Sequence, residues 1–336
     1  MQKLKSQGIR HLSDGVLKIL TQNRITTIYD FLEEDISKLS SLTRLNLPEI
    51  LAIRSDIFEK YSAPLVNGTT LLTKVLINEK KITTGIKSLD AATCGGIPMG
   101  CITELCGLAE SGKSQLSFQV AINCVKNTER TVLYVDTKGD FSAIRIQQIL
   151  GSQNCSNKEM ASIMYKIKVV YIWTMDELVE LFRSIKNKTF VIENLALVIV
   201  DSLPCLMFQY LGDENKMGLS LLNTLVNYSR FVGNEFNIGI VYINIQTRWI
   251  DSDICEEEDN VQSSSALKEH SYVEKRNRCL GRYWEQIPAL VLILEVLERV
   301  KETFSFTQIK VSVMCSNNVK CHKNECTINL SMCGIE

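Results

Sequence analysis

The chain has almost no net charge: 37 lysines and arginines against 38 aspartates and glutamates leave a formal balance of −1. A grip on nucleic acid through one broad basic field is therefore excluded, because such fields need a surplus of cations across the domain. Any contact of that kind has to come from local patches or from partner subunits. The sequence also lacks an apolar signal segment near Met1 and any uninterrupted apolar run long enough to cross a bilayer. A soluble, reducing compartment is the expectation, with the 12 cysteines as free thiols. A paired C-x2-C knuckle is missing too, so Cys315, Cys321, His322, Cys326 and Cys333 offer zinc-ligand chemistry without zinc-site spacing. The alternating segments around them, Ile309–Met314 and Thr327–Met332, read instead as two strands of an edge hairpin.

Core-forming residues are present in ordinary amounts. With 45% hydrophobic and 22% charged residues over 336 positions, the chain can fill one large core and a modest second unit. Between residues 10 and 62 the apolar positions recur at helical spacing: Leu12, Val16, Leu17 and Leu20, then Ile28, Phe31 and Leu32, then Ile50, Leu51, Ile53 and Ile57. Ser13 and Asp14 suit a helix start, and Pro48 suits a first turn. Residues 1–62 are thus read as a small all-α domain, and the turn formers of Ser62-Ala-Pro-Leu-Val-Asn-Gly68 open a linker assigned to 63–81.

From residue 82 to 336 short apolar runs alternate with amphipathic segments, which predicts an α/β core with a mostly parallel central sheet. The predicted strands are Ile102–Cys106, Thr131–Asp136, Ile167–Ile172, Leu195–Asp201 and Ile238–Asn244. Helices are predicted over 113–126, 141–151, 175–187 and 215–233, and Ala289–Leu294 is read as opening an antiparallel extension. Periodicity is lost between Arg248 and Gly281, which reads as one long loop.

The most specific signal is Gly107-Leu108-Ala109-Glu110-Ser111-Gly112-Lys113-Ser114, a G-x-x-x-x-G-K-[ST] phosphate loop between a predicted strand and a helix with Leu116, Val120 and Cys124 on one face. Glycines at its two ends let the main chain curl so that successive N–H groups face phosphate oxygens, aided by the helix N-terminus. Lys113 would neutralise the β- and γ-phosphates of ATP, and the Ser114 hydroxyl would face magnesium. Asp201 ends an apolar strand and is the candidate carboxylate on the magnesium side.

The wording around this loop is narrower than that of phosphate-loop proteins in general. Ile82-Thr-Thr-Gly85-Ile-Lys-Ser-Leu89-Asp90, Gly95-Gly96-Ile-Pro-Met-Gly100, Leu133-Tyr-Val-Asp136-Thr-Lys-Gly139 and Ile240-Val-Tyr-Ile-Asn244 resemble the ATPase core of the eukaryotic RecA-like recombinases. Within that family the chain is most similar to the D-type paralogue, on Pro64-Leu-Val-Asn-Gly68 and Leu280-Gly281-Arg282-x-Trp284. The resemblance implies a RecA-like P-loop ATPase core behind a small helical domain, and work in homologous recombination in the nucleus. It implies a heteromeric complex with other recombinase paralogues on single-stranded DNA, and places Arg145 against the adenine.

Departures matter as much. Where the family carries a glutamate that activates the attacking water, this chain has Lys138, and a cation cannot serve as that base. The γ-phosphate-sensing glutamine is replaced by Ile245, with Gln246 one residue late and so on the opposite strand face. Hydrolysis is expected to be weak or absent. In the loop the resemblance turns toward DNA, Asp251, Asp253, Glu256, Glu257, Glu258 and Asp259 would repel phosphate, whereas Lys275, Arg276, Arg278 and Arg282 are candidates to hold it. A solvated loop whose two charge blocks pair with each other is an equal reading. The family's glycine turn is not visible between Leu42 and Glu49, and the only Phe-x-x-Ala spacing, Phe118 to Ala121, falls on the phosphate-loop helix. Two other functions stay open: an active DNA-dependent ATPase that exchanges strands itself, and a scaffold with a vestigial nucleotide site.

Overall fold

A computed structural model of the chain describes residues 3–6, 8–62, 66–78, 81–126, 128–210, 216–250, 274–300, 306–315 and 324–336. The chain divides into two compact units, Met1–Thr73 and Lys74–Glu336.

The first unit is helical: α1 (Asp14–Gln22), α2 (Ile28–Glu33), α3 (Ile36–Thr43) and α4 (Leu47–Tyr61). The Ser13 hydroxyl accepts from the Val16 N–H, and reciprocal caps form between Thr27 and Asp30 on α2 and between Asn46 and Glu49 on α4, where Pro48 occupies the first turn. Leu12, Leu20, Phe31, Leu39, Ile50 and Ile57 share one core, and the Arg10 guanidinium pairs with Asp56 at 2.6 Å. Between α3 and α4 the left-handed position goes to Arg44, at φ 59°, in the stretch where no glycine turn is visible. A further helix, α5 (Gly68–Asn78), lies inside the stretch 63–81 read as a linker and crosses the division between units.

The second unit is built on strands β1 (Lys81–Ile82), β2 (Ile97–Pro98), β3 (Ile102–Gly107), β4 (Thr131–Asp136), β5 (Ile167–Tyr171), β6 (Leu195–Asp201), β7 (Gly239–Ile243), β8 (Gln246–Ile250), β9 (Glu274–Arg278), β10 (Leu290–Val300), β11 (Phe306–Cys315), β12 (Glu325–Ser331) and β13 (Gly334–Ile335). Its helices are α6 (Lys87–Ala92), α7 (Lys113–Val125), α8 (Ala143–Ser152), α9 (Asn157–Lys166), α10 (Met175–Lys186), α11 (Leu203–Met207), α12 (Lys216–Phe236) and α13 (Gly281–Glu285). Nine strands form one sheet in the order β13-β12-β11-β10-β3-β7-β6-β4-β5.

From β10 to β5 every neighbouring pair is parallel, and from β10 outward every pair is antiparallel. Residues 289–294 therefore do not simply open an antiparallel extension. Leu290–Leu294 pair parallel with Thr103–Gly107, and the same strand turns its other edge to β11. The sheet is covered on both faces, so its strands read as continuous apolar runs. On one face Leu105, Val132, Tyr134, Leu197, Ile199 and Val241 meet Leu116 and Val120 of α7. On the other, Leu133, Val135, Val198, Val200 and Tyr242 meet Leu178 and Phe182 of α10 and Leu225 of α12. The alternation with period two assigns each residue to its face.

The tail hairpin forms as β11 and β12, with Ile309 opposite Ile328. No cluster of metal-ligating side chains occurs among the described residues, and Cys321 and His322 lie outside them. Cys315 is disulfide-bonded, a departure from the reading of free thiols throughout. No helix among the described residues is long and apolar enough to cross a membrane.

Candidate nucleotide site

The phosphate loop connects β3 to α7, which starts at Lys113. Its two terminal glycines are needed for different reasons. A Cβ on Gly107 would come within 2.5 Å of the Leu294 carbonyl oxygen, while Gly112 sits at φ 90°, where side chains are strained. Leu116, Val120 and Cys124 are buried as the spacing predicts, and so are Phe118 and Ala121, which makes that pair core.

Lys113 is 9% exposed, and its ammonium donates to the Gly107 carbonyl at 3.1 Å, the Leu108 carbonyl at 2.6 Å and the Ser111 hydroxyl at 3.3 Å. The loop thus holds the charged head where a phosphate would compete for it. Burial pushes the Lys113 pKa down, the Lys138 charge adds to that, and Asp201 opposes it.

Ser114 and Asp201 are brought together across 87 residues of sequence: the hydroxyl donates to Asp201 Oδ2 at 2.6 Å. The Tyr134 phenol donates to the same oxygen at 2.8 Å, and burial with the Asp201 charge raises its pKa well above the usual value. Sequence reasoning missed Tyr134, which reads only as an apolar-run residue of β4. It missed Asp136 as well, whose carboxylate accepts the N–H groups of Lys138, Gly139 and Phe141 and so shapes the turn after β4. Thr137 locks that turn to the end of β6, accepting from the Ser202 N–H at 2.7 Å and donating to the Ser202 carbonyl at 2.9 Å.

That turn delivers Lys138 to Asp201. The ammonium is 2.9 Å from Oδ1, an oxygen that has no donor in hydrogen-bond alignment, so the contact is an ion pair by distance rather than an aligned bond. Burial works against the charge on Lys138, but Asp201 outweighs it and the pKa is raised. The expected magnesium pair is therefore assembled, yet its carboxylate already carries a cation. A hard dication that keeps its own water shell does not fit beside that ammonium.

Arg145, on α8, donates from Nε to the Gln115 side chain at 2.7 Å and from its terminal nitrogens to the carbonyls of Met332 at 2.6 Å and Ser331 at 2.8 Å. Its edge is engaged by protein, an arrangement compatible with stacking, which uses the guanidinium plane.

The stretch read as one long loop is corrected at both ends, where β8 and β9 form an antiparallel ribbon with Gln246 opposite Arg278. Arg278 is also corrected as a DNA candidate. Its guanidinium turns inward to the fully buried Glu104 carboxylate at 2.8 Å, because a carboxylate without a partner there would be costly. Arg276 pairs with Glu295, Arg282 is exposed on α13, and the Lys275 side chain and the acidic block at 251–259 lie outside the described residues. Asn244 donates to Glu104 at 2.7 Å and to the Cys279 carbonyl at 3.0 Å, which fixes the base of the ribbon.

A family model described as Rad51 matches residues 76–261. The chain is similar to DNA repair protein RAD51 homolog 4 of Mus musculus, at 25% identity over 292 residues, covering 85% of this chain and 82% of that protein. It is also similar to DNA repair protein RAD51 homolog 2 of Arabidopsis thaliana, at 29% identity over 247 residues, covering 66% and 65%. Among solved structures, a RadB recombinase shares the fold at TM-score 0.55 and 21% identity, covering 76% of this chain and 98% of that one. With a phosphate loop closed by Lys113 and Ser114 and a family model spanning more than half its length, the chain belongs to the Rad51 family and has a RecA-like fold.

Proposed function

We propose that this protein is an ATP-binding recombinase paralogue that assists homologous recombination and DNA double-strand break repair. In this reading it acts in the nucleus, in a complex with related subunits on single-stranded DNA, with weak or absent hydrolysis. The observation that carries it is the loop itself: Lys113 is buried among the loop carbonyls and Ser114 is bonded to Asp201, so a polyphosphate meets a preformed cradle. Nucleotide occupancy would act as a switch by favouring the conformation that docks with partner subunits.

Lys138 supports the view that turnover is not the function. It sits on Asp201 where a general base would be needed, and its ammonium has no lone pair to accept a proton. Single-strand contact would fall to Lys275 and Arg282, since Arg278 is held by Glu104. Two relatives named as DNA repair proteins support the repair assignment. The deciding experiment is equilibrium binding of ATP by wild type and Lys113→Ala, together with ADP release in the presence of single-stranded DNA. Saturable binding lost in the variant, with no stimulated turnover, supports the reading. Equal weak binding by both proteins favours a scaffold, and stimulated turnover favours an active strand-exchange ATPase.

A further inference from the structure

Asp201 already carries a cation, although its Oδ1 has no aligned hydrogen-bond donor. Asp201 is 3% exposed, and all three of its neighbours come from fixed elements: the Ser114 hydroxyl and the Tyr134 phenol on Oδ2, and the Lys138 ammonium at 2.9 Å on Oδ1. Lys138 is not a surface lysine that happens to lie across the site. Its side chain is 29% exposed, and the turn presenting it is held at its base by three N–H groups on Asp136 and by Thr137 on Ser202. Asp140, at 3.8 Å, is the only other carboxylate paired with it among the described residues, and it is largely exposed.

Two ammonium groups, Lys113 and Lys138, stand around the Asp201 carboxylate, and the other buried carboxylate of this turn, Asp136, is turned to backbone N–H groups, which leaves both ammonium groups as cations for a phosphate at the loop. That is the complement of a bare triphosphate. A magnesium ion riding on the phosphates would bring two further positive charges toward Lys138, with Asp201 already neutralised.

We propose that Lys138 takes the place of the divalent cation, so that ATP binds at Gly107–Ser114 with Lys113 and Lys138 as its counterions and without magnesium. This rests on the reading of the loop as an ATP site. It also gives Lys138 a positive role, where its substitution for a base alone would explain only lost turnover. No bond to the nucleotide is made or broken, and the consequence is retention of ATP rather than its consumption.

The test is a fluorescence titration of the full-length protein with the N-methylanthraniloyl derivative of ATP, in excess MgCl2 and in EDTA. Wild type should bind as tightly in EDTA as in magnesium, or more tightly. Lys138→Arg should keep binding in EDTA, whereas Lys138→Glu should lose at least about tenfold in EDTA and recover with magnesium, because it sets two carboxylates side by side. Wild-type binding that appears only with magnesium overturns the role given to Lys138 and leaves the ATP site standing. Absence of saturable binding in both buffers overturns both. If Lys138→Glu fails to fold, the wild-type comparison and Lys138→Arg still decide, since neither adds a repulsive charge.

Discussion

Arg278 lies 2.8 Å from Glu104, joining the end of the β8–β9 ribbon to the strand that runs into the phosphate loop. The carboxylate is fully buried and the guanidinium nearly so, at 14% exposed. Removing the arginine leaves the buried carboxylate with only neutral neighbours, Asn244, Cys106 and Trp284, so Arg278→Met should cost about 3–5 kcal/mol at neutral pH. Glu104→Gln should cost less, because burial already favours the neutral acid there. The double variant should recover most of the loss. Urea denaturation of the four proteins measures the cycle, and equal costs for the two single changes would show that the pair does not work this way.

The same pair predicts a pH dependence. Burial raises the Glu104 pKa above its ordinary value of 4.5, against the pull of Asn244 and Arg278. The folded state then holds this proton more tightly than the unfolded chain. Its contribution to stability is complete below the ordinary value and is lost as pH rises through the folded one. Without Arg278 the folded value moves further up, so the gap in stability between wild type and Arg278→Met should stay constant until pH reaches the raised wild-type folded value, open as pH rises through it, and level off above the variant's folded pKa. A gap that stays constant across this range would exclude Glu104 as its source.

The two halves of this geometry were not equally legible. The loop, Asp201 and the parallel strands announce themselves because strands covered on both faces must be apolar throughout, and because glycines at 107 and 112 leave few other uses. The ribbon does not: Gln246-Thr-Arg-Trp-Ile and Glu274-Lys-Arg-Asn-Arg have no alternation, and their pairing is made by main-chain bonds. Arg278 looked like a phosphate ligand because a charge in a sequence carries no direction, and its partner is 174 residues away. The parallel side of β10 was likewise invisible, since an apolar run does not state which neighbour it joins. A reciprocal cap between Ser156 and Glu159 did mark α9, a helix the sequence reading passed over.

Trp284 anchors α13 to the sheet. It is fully buried, and its ring meets Tyr242 edge to face at 5.3 Å, while its N–H faces the Glu104 side without reaching hydrogen-bond alignment. Trp284→Ala should lower stability by about 3–5 kcal/mol. Trp284→Phe, which keeps a ring and removes the unpaired donor, should cost clearly less. Thermal melts of both variants give the comparison; an alanine variant that melts with wild type would mean that α13 is held elsewhere.

Arg145 separates a structural role from a nucleotide role. Its three bonds tie α8 to Gln115 on the phosphate-loop helix and to the turn between β12 and β13. These are charge-assisted but partly exposed, so Arg145→Ala should cost about 2 kcal/mol in total, with faster hydrogen exchange concentrated in Ser331–Ile335. Arg145→Lys cannot reproduce the planar fork and should behave almost as badly in exchange. If the guanidinium plane also supports the adenine, ATP affinity should fall about tenfold in both variants while inorganic triphosphate binds as in wild type. Loosened exchange with unchanged ATP affinity would leave Arg145 as a tie between the tail and the core and nothing more, because the loss would then follow the carbonyl bonds and not the base.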